Sequence, residues 1–274
     1  MAIWKALLLG LLQGLAEFLP VSSSGHLALF EIILGLGETP LLFDVCLHIG
    51  TLAAVFIVFR KDVRDLLNAL ARMFKPSERR AAAADPNTRL AVLLIVATLP
   101  LLIAIPFKGA VESIKGIPAL VGAALIVTAL ILKLTDYIRK GKKNERTATV
   151  TDAVVVGVMQ ALAITPGLSR SGLTISGGIF RGFDRQFAFR FSFLLSIPAV
   201  LGATLIELIE ALVQGFDPAL ILPMIFGMAV AFVSGFFALK LLRKLLLSEK
   251  FSHFAWYCLA AGALTVILSL ILSK

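Results

Sequence analysis

Two polar side chains interrupt the first long apolar run of the chain. Gln13 and Glu17 stand four residues apart, so they share one face of a helix. A carboxylate in such a run predicts a functional site, and a structural hydrogen bond between helices is the alternative. The two side-chain oxygens could bind a hard divalent cation, Mg²⁺ or Ca²⁺, if phosphate oxygens of a substrate complete its coordination shell.

The residues that follow could bind phosphate and attack it. Ser22, Ser23, Ser24 and Gly25 can begin a new helix, whose first amides attract phosphate. Ser23 and His26 are three residues apart and are therefore neighbours on one helical face. Attack by Ser23 with His26 as base is favoured. Attack by His26 itself, or by water held by a cation, also fits the spacing.

A second polar stretch centres on Arg170, which stands alone in a long apolar region. A guanidinium suits phosphate oxygens, and the alternative is a direct ion pair with Glu17 that has no substrate between the two side chains. Its neighbours are predicted to bind phosphate with it; they are Ser169, Ser171, Gly172 and Thr174. A cation, an anion, a base and a hydroxyl together indicate phosphoryl transfer.

The two polar stretches resemble each other at a constant offset of 147 residues, as Gln13 and Gln160 illustrate. A Gln, a Leu, an Ala, two Ser and a Gly match in register. In each stretch, Pro, Gly and Ser separate two apolar halves that are too short to span a bilayer. We therefore predict two re-entrant pairs of helices, at roughly 3–35 and 151–180.

Six other apolar runs are long enough to cross a bilayer. Hydrophobic residues make up 59% of the chain and the mean hydropathy is +0.96, above the values of soluble domains. The six runs are 41–59, 90–107, 118–138, 187–213, 218–239 and 252–272. Three of them follow each broken stretch, and an odd number of spans inverts the second copy.

This order predicts an all-α integral membrane protein with six transmembrane helices and two re-entrant pairs in an inverted-topology repeat. The chain is then one membrane domain, 1–274, with repeat one at about 1–138 and repeat two at about 148–274. A homo-oligomer is compatible with this arrangement.

The net charge of +9 lies mostly in the loops between spans. The segments 60–89, 133–150, 181–190 and 240–250 hold 21 of the 26 Lys and Arg residues, which places them in the cytoplasm. Charge in this position indicates membrane topology and not nucleic-acid binding. The first broken stretch, and with it the predicted site, then opens to the outer face.

Four other polar residues are assigned no role in chemistry. His48 and His253 are predicted to be structural, because a lone His near an apolar span is usually a packed side chain. Asp62 and Asp65 are predicted to belong to a solvated, charged face of the loop after the first span.

These motifs resemble those of the bacterial undecaprenyl pyrophosphate phosphatase family, the undecaprenyl-diphosphatases linked to bacitracin resistance. The first motif runs from Glu17 to His26, with Gln13 where the family commonly has Glu, and the second runs from Pro166 to Thr174. The resemblance covers essentially the whole chain. It implies hydrolysis of undecaprenyl pyrophosphate with Mg²⁺ or Ca²⁺, in the cytoplasmic membrane of a bacterium, to recycle the carrier lipid of cell-wall synthesis.

Two other classes of protein share part of the pattern. The phosphatidic-acid-phosphatase type has a Ser-Gly-His motif like Ser24-Gly25-His26, but it also needs a His beyond its Ser-Arg pair, and Ser176 stands there. A transporter or flippase of a phosphorylated lipid is the alternative to an enzyme, because inverted repeats are typical of alternating access. Release of phosphate would distinguish the two.

Overall fold

The computed structural model describes residues 1–33, 35, 40–78, 80–81, 84–215 and 217–272 of the 274-residue chain. Across these residues the secondary structure is helical, and the only β-type pairing is an isolated bridge between Lys143 and Phe183. The prediction of an all-α fold is therefore confirmed. The predicted end of repeat two at 273–274, and residue 34 of the first broken stretch, lie outside the described residues.

Twelve α-helices follow one another along the described residues. They are α1 Ile3–Phe18, α2 Ser23–Ile33, α3 Leu41–Val58, α4 Arg60–Met73, α5 Pro86–Ala104, α6 Lys108–Glu112, α7 Pro118–Leu134, α8 Val150–Leu162, α9 Arg170–Phe180, α10 Arg185–Gln214, α11 Ile221–Leu247 and α12 His253–Leu272. Short 3-10 turns extend several of them, at Ile105–Phe107, Ser113–Gly116, Thr135–Tyr137 and Pro218–Leu220.

Among the described residues, six helical segments are long and apolar enough to cross a membrane, as predicted. They are Leu41–Val58, Pro86–Phe107, Pro118–Tyr137, Arg185–Val213, Pro218–Leu247 and His253–Ile271. The largest difference from the prediction is the fifth span, which continues past residue 239 to Leu247. Lys and Arg are good helix formers, so the charges that end the apolar run do not end the helix.

The helices of the two broken stretches stop where Pro, Gly and Ser interrupt the sequence. α1 ends at Phe18 and α2 begins at Ser23, while α8 ends at Leu162 and α9 begins at Arg170. These four helices have 16, 11, 13 and 11 residues, fewer than the roughly 20 needed to cross a bilayer. The breaks are confirmed, and the re-entrant path through a bilayer stays a prediction.

The first helix of each broken stretch, α1 or α8, packs against a spanning helix from the other half of the chain. α1 lies against α11, and α8 lies against α5, while α3 packs against α11 and α10, and α7 packs against α12. Glycines allow the first two contacts: a Cβ at Gly10 would overlap the carbonyl oxygen of Gly227, and a Cβ at Gly157 that of Ala97. Gly10 and Gly157 correspond at the offset of 147 residues.

Helix α4 occupies the loop that the charge pattern assigned to solvent. Its Asp62 accepts a hydrogen bond from Arg190 Nε at 2.6 Å, and the Asp62 side chain is 27% exposed, so this residue is only partly solvated. Val63 and Leu66 of the same helix pack against the core. The apolar residues at helical spacing are hidden among many charges, which is why the sequence pattern did not reveal the helix.

Candidate active site

The two helix breaks cross each other through small residues. A Cβ on Gly25 would lie 3.1 Å from Cα of Gly167, and a Cβ on Gly172 would lie 3.2 Å from Cβ of Pro20. Gly25 and Gly172 correspond at the offset of 147 residues, as do Pro20 and Gly167. The two contacts of the crossing are therefore made by corresponding residues of the two stretches. They bring the residues of both polar stretches together.

Ser22 and Ser169 hold the backbone of this crossing. Ser22 Oγ accepts hydrogen bonds from the amides of Gly25 at 3.3 Å and Gly167 at 3.1 Å. Ser169 Oγ accepts one from the amide of Gly172 at 3.1 Å and so caps α9. Ser22 has φ of 70°, a left-handed conformation that is costly for a serine and that these bonds stabilise.

Two further predicted phosphate ligands also have partners within the crossing. Ser171 Oγ donates to the carbonyl of Leu19 at 3.3 Å, and Thr174 Oγ1 donates to that of Arg170 at 2.8 Å. The hydroxyls of Ser22, Ser169, Ser171 and Thr174 are all buried. The structure places these four hydroxyls in the framework of the site, whereas Ser24 lines a cavity beside Ser23.

Glu17 joins the catalytic candidates of the two stretches. Its Oε1 accepts a hydrogen bond from Arg170 Nη2 at 2.6 Å, and its Oε2 accepts one from Ser23 Oγ at 2.7 Å. Gln13 Nε2 lies 3.2 Å from the same Oε2. Only 8% of the Glu17 side chain and 16% of the Arg170 side chain are exposed, so this is a largely desolvated ion pair. The direct pairing weighed as the alternative for Arg170 is therefore present.

One donor and one acceptor beside this carboxylate have no partner. Arg170 Nη1 and Gln13 Oε1 are buried and make no hydrogen bond to any described residue. An unpaired buried polar group costs free energy of about 1 to 3 kcal/mol, and more when it is charged. Their positions on either side of Glu17 indicate that a polar ligand completes the site.

His26 has partners other than the one predicted for it. Its Nδ1 lies 2.9 Å from the carbonyl oxygen of Ser22, which can only accept, so Nδ1 carries the proton. Its Nε2 lies 2.7 Å from the hydroxyl of Tyr257, whose ring stacks on the imidazole. The predicted transfer of the Ser23 proton to His26 is therefore not the arrangement found, because the hydroxyl of Ser23 donates to Glu17.

Tyr257 and His48 lie beside these candidates, and the sequence analysis assigned neither of them to the site. Tyr257 lies on α12, 231 residues after His26, so no short-range pattern connects them. His48 was expected to be structural. It lines a small cavity of about 80 Å³, and its Nδ1 is hydrogen-bonded to the carbonyl of Asp44. Residues on four segments line this cavity: Gln13, Ser23, Ser24, Leu27, Ala28, Glu31, Asp44, His48 and Lys115.

The residues that could hold a cation here supply only part of a coordination shell. No cluster of three or more His, Cys, Asp or Glu that could bind a metal ion occurs among the described residues. The buried, unpaired Gln13 Oε1 and the adjacent Glu17 carboxylate are the available oxygens. Mg²⁺ and Ca²⁺ need six or more oxygen ligands, so the phosphate of a substrate would have to provide most of the others.

The fold and the site define a polytopic membrane protein with a carboxylate, a serine and an arginine where two broken helices cross. The family model described as "Bacitracin resistance protein BacA" matches residues 6–264, and the chain belongs to that family.

Curated relatives cover nearly all of the chain. A protein named "Undecaprenyl-diphosphatase" from Alkaliphilus metalliredigens is 39% identical over 99% of this chain and 100% of its own length. Proteins with the same name from Carboxydothermus hydrogenoformans and Halothermothrix orenii are 41% and 40% identical. The first match covers 97% of each chain, and the second covers 98% of this chain and 99% of the relative.

Proposed function

We propose that this protein hydrolyses undecaprenyl pyrophosphate to undecaprenyl phosphate and inorganic phosphate. The observation that carries the proposal is the buried Glu17 carboxylate, which contacts both Ser23 and Arg170, while Arg170 Nη1 has no partner among the described residues. Relatives that share the length of the chain are named for the same reaction. The chain is then a hydrolase that recycles the carrier lipid of cell-wall synthesis.

Arg170 is proposed to bind the terminal phosphate. Its Nη2 is held by Glu17, which orients the guanidinium, and its Nη1 is free to donate to a phosphate oxygen. Because arginine stays protonated, this contact persists as negative charge builds up on the transferred group. Ser24, which lines the cavity beside Ser23, is proposed to donate to the same phosphate.

Ser23 is proposed to attack phosphorus, with Glu17 as the base. The 2.7 Å hydrogen bond from Ser23 Oγ to Glu17 Oε2 already aligns the proton with its acceptor. Attack forms a phosphoserine and breaks the bond to the bridging oxygen, which leaves with undecaprenyl phosphate. Water then cleaves the phosphoserine and releases inorganic phosphate. His26 remains as the alternative nucleophile, through Nε2 once Tyr257 moves aside.

A divalent cation, Mg²⁺ or Ca²⁺, is proposed to bind at Gln13 and Glu17 together with oxygens of the pyrophosphate. When bound it supplies positive charge that neutralises the pyrophosphate. Gln13 orients Glu17 through its Nε2 whether or not the cation is present.

The proposed location is the cytoplasmic membrane of a bacterium, with the site open to the outer face. The support for this orientation is the concentration of Lys and Arg in the loops 60–89, 133–150, 181–190 and 240–250. The six helices that could span a membrane support a multi-pass protein. A polyprenyl pyrophosphate in the outer leaflet would then enter the site laterally from the bilayer.

Phosphate release by the purified protein in detergent tests the proposal. We expect turnover of undecaprenyl pyrophosphate that depends on added Mg²⁺ or Ca²⁺, whereas a transporter or flippase alone would release no phosphate. The variant Ser23→Ala is expected to lose at least roughly a thousandfold in rate. Ser113→Ala is the matched control. Ser113 lies outside the candidate site, and its exposed hydroxyl donates a hydrogen bond to the carbonyl of Ala110.

Trapping the phosphorylated enzyme distinguishes the nucleophiles. Phosphate that survives acid and is lost in alkali, and that is absent from Ser23→Ala, is the expected result. Acid-labile phosphate that is absent from His26→Ala would assign the attack to His26 instead. If no phosphoenzyme forms and solvent oxygen enters the phosphate directly, water is the nucleophile and the serine mechanism is wrong.

A further inference from the structure

Three adjoining cavities run along helix α4, away from the residues around Glu17. The first has a volume of about 440 Å³, the second about 600 Å³ and the third about 690 Å³. Leu70 lines both the first and the second, and Met73, Thr88 and Val92 line both the second and the third. Together they form one cleft, and none of its lining residues lines the cavity beside Ser23.

One end of the cleft is an apolar groove. It lies between α4, α5 and α10, and its lining is Val63, Leu66, Leu67, Leu70, Ala91, Leu94, Ile95, Thr98, Leu99, Leu102, Leu194, Ile197 and Pro198. The only side-chain polar atom in this set, Thr98 Oγ1, donates to the carbonyl of Leu94 at 2.8 Å. The groove therefore has the chemistry of a site for a hydrocarbon chain.

The other end of the cleft is polar and carries positive charge. Arg89 and Arg146 line it with Asp85, and Arg72 offsets the charge of Asp85 through an ion pair. Thr88 also lines this end. Thr88 is only 3% exposed, and its Oγ1 has no hydrogen-bond partner among the described residues. An end that two arginines line, with a buried hydroxyl that still needs a partner, indicates an anionic ligand.

We propose that this cleft binds an anionic phospholipid, with its phosphate at Arg89, Arg146 and Thr88 and an acyl chain in the apolar groove. An amphiphile is the kind of ligand that can place a charged group at the polar end and a hydrocarbon chain in the apolar groove. The polar end belongs to segments 60–89 and 133–150, which the charge pattern assigns to the cytoplasmic side, where anionic lipids are enriched. The lipid is thus expected in the leaflet opposite to the proposed active site.

Helix α4 supports a lipid as the occupant. Its apolar residues Val63, Leu66, Leu67 and Leu70 follow one another at helical spacing and form one wall of the groove. Leu67 is 61% exposed and the adjoining Phe74 is 87% exposed, as expected for a helix that lies at the membrane surface. A bound acyl chain would cover this stripe.

The cleft has the properties of a binding site and not of a second active site. Its carboxylate, Asp85, already pairs with Arg72, and its Oδ1 accepts a hydrogen bond from the amide of Asn87 at 2.9 Å and so caps α5. No carboxylate that lines the cleft is then available to take a proton from Thr88. The proposal is therefore independent of the hydrolysis assigned to Ser23.

Native mass spectrometry of the delipidated, purified full chain tests the proposal. The probes are phosphatidylglycerol and phosphatidylcholine with the same acyl chains, offered at equal concentration. We expect one phosphatidylglycerol to be retained in preference to phosphatidylcholine. The double variant Arg89→Gln/Arg146→Gln should weaken phosphatidylglycerol retention by roughly 30-fold, at about 1 kcal/mol for each basic residue near the surface.

Two further variants distinguish binding in this cleft from nonspecific electrostatic attraction and from nonspecific hydrophobic binding. Lys61→Gln/Arg64→Gln removes the same charge from α4 outside the cleft and should retain phosphatidylglycerol as the wild type does. Leu99→Trp fills the apolar groove and should lower retention of both lipids. Wild-type hydrolysis by these variants in detergent would show that they fold.

Three results would overturn the proposal. They are equal retention of the two lipids by the wild type, unchanged retention by the Arg89/Arg146 double variant, and displacement of the lipid by inorganic phosphate at a similar concentration. The last would mean that the cleft is a site for a free anion. A fourth result, stronger retention of a polyprenyl phosphate than of phosphatidylglycerol, would likewise reject a phospholipid as the occupant.

Discussion

At the level of individual residues, a single carboxylate, Glu17, joins side chains of both polar stretches. Its Oε1 accepts a hydrogen bond from Arg170 and its Oε2 accepts one from Ser23. In the proposed mechanism, one group therefore orients the phosphate-binding side chain and also positions the nucleophile. Because these groups act as a unit, the effects of replacing them should be strongly non-additive. Tyr257 positions His26 in a comparable way, through the hydrogen bond to its Nε2.

Replacement of Arg170 by lysine tests whether a guanidinium is required. One donor of Arg170 binds Glu17 and another is free for phosphate, and lysine cannot reproduce both directions at once. We expect Arg170→Lys and Arg170→Ala each to lose about a hundredfold in the rate of phosphate release. Arg190→Lys, which keeps an ion pair with Asp62 outside the site, is the control. Near-normal turnover by Arg170→Ala would refute the role.

At the level of helices, the site depends on how closely the two breaks approach. The contacts of Gly25 with Gly167 and of Gly172 with Pro20 leave no room for larger side chains. Each break is held by a serine that caps the helix after it, Ser22 for α2 and Ser169 for α9. A small shift of one helix would therefore separate Arg170 from Glu17.

Addition of one methyl group at the crossing should disturb this geometry. A Cβ on Gly25 would lie 3.1 Å from Cα of Gly167 and 3.2 Å from its N, so the backbone must shift by a few tenths of an ångström. We expect Gly25→Ala to lower the rate of phosphate release by at least tenfold, although alanine favours the helix by about 1 kcal/mol. Gly202→Ala, with open space around its Cβ, should be neutral or stabilising and serves as the control. Equal rates in the two variants would exclude the crossing as the cause.

The beginning of helix α8 is held by a buried carboxylate outside the six spanning helices. Asp152 accepts hydrogen bonds from Lys143 Nζ and Arg181 Nε, both at 2.8 Å, and from the amide of Thr149 at 2.9 Å. Burial by itself would raise the pKa of Asp152. The hydrogen bonds from Lys143, Thr149 and Arg181 outweigh burial and lower this pKa from 3.8 to about 2.

This lowered pKa predicts how the contribution of Asp152 to stability depends on pH. Because the folded-state pKa lies below the unfolded value, the contribution is present above about pH 4 and is lost as the pH falls to about 2. We expect Asp152→Asn to lower the melting temperature in detergent by several degrees at pH 7. The difference between wild type and variant should shrink between pH 4 and pH 2. A difference that is independent of pH would contradict this explanation.

For the whole molecule, the helices and the charges together predict an orientation. Among the described residues six segments can span a membrane, and most basic residues lie in the loops at one predicted side. The phospholipid cleft and the Glu17 site would then open toward different leaflets.

Labelling of single cysteines in intact cells tests the orientation. Ser77 is exposed and lies in the segment 60–89, so a cysteine placed there should be inaccessible to a membrane-impermeant reagent until the cells are permeabilised. A cysteine in place of Ser113, on the opposite predicted side, should be labelled at once. Cys46 and Cys258 are replaced first in both variants to remove the background. Labelling of Ser77→Cys in intact cells would show that the predicted orientation is wrong.

The spans, the breaks and the candidate residues of the site could be predicted from the sequence. Length and hydropathy predict the six spanning helices, because a bilayer requires about 20 apolar residues whatever the packing. Pro, Gly and Ser predict the breaks because they act on the local backbone. Glu17, Ser23 and Arg170 stand out because polar groups are costly in apolar runs, and the structure places the three in contact.

The partners of these residues could not be predicted from the sequence, because they depend on tertiary packing. Ser23 donates a hydrogen bond to Glu17 and not to His26, and His26 contacts Tyr257. The four expected phosphate ligands Ser22, Ser169, Ser171 and Thr174 are buried where the two breaks cross. Helical spacing shows which side chains share a face but not which helix that face meets. Contacts such as that of Arg170 with Glu17, 153 residues away, depend on the packing of helices across the whole chain.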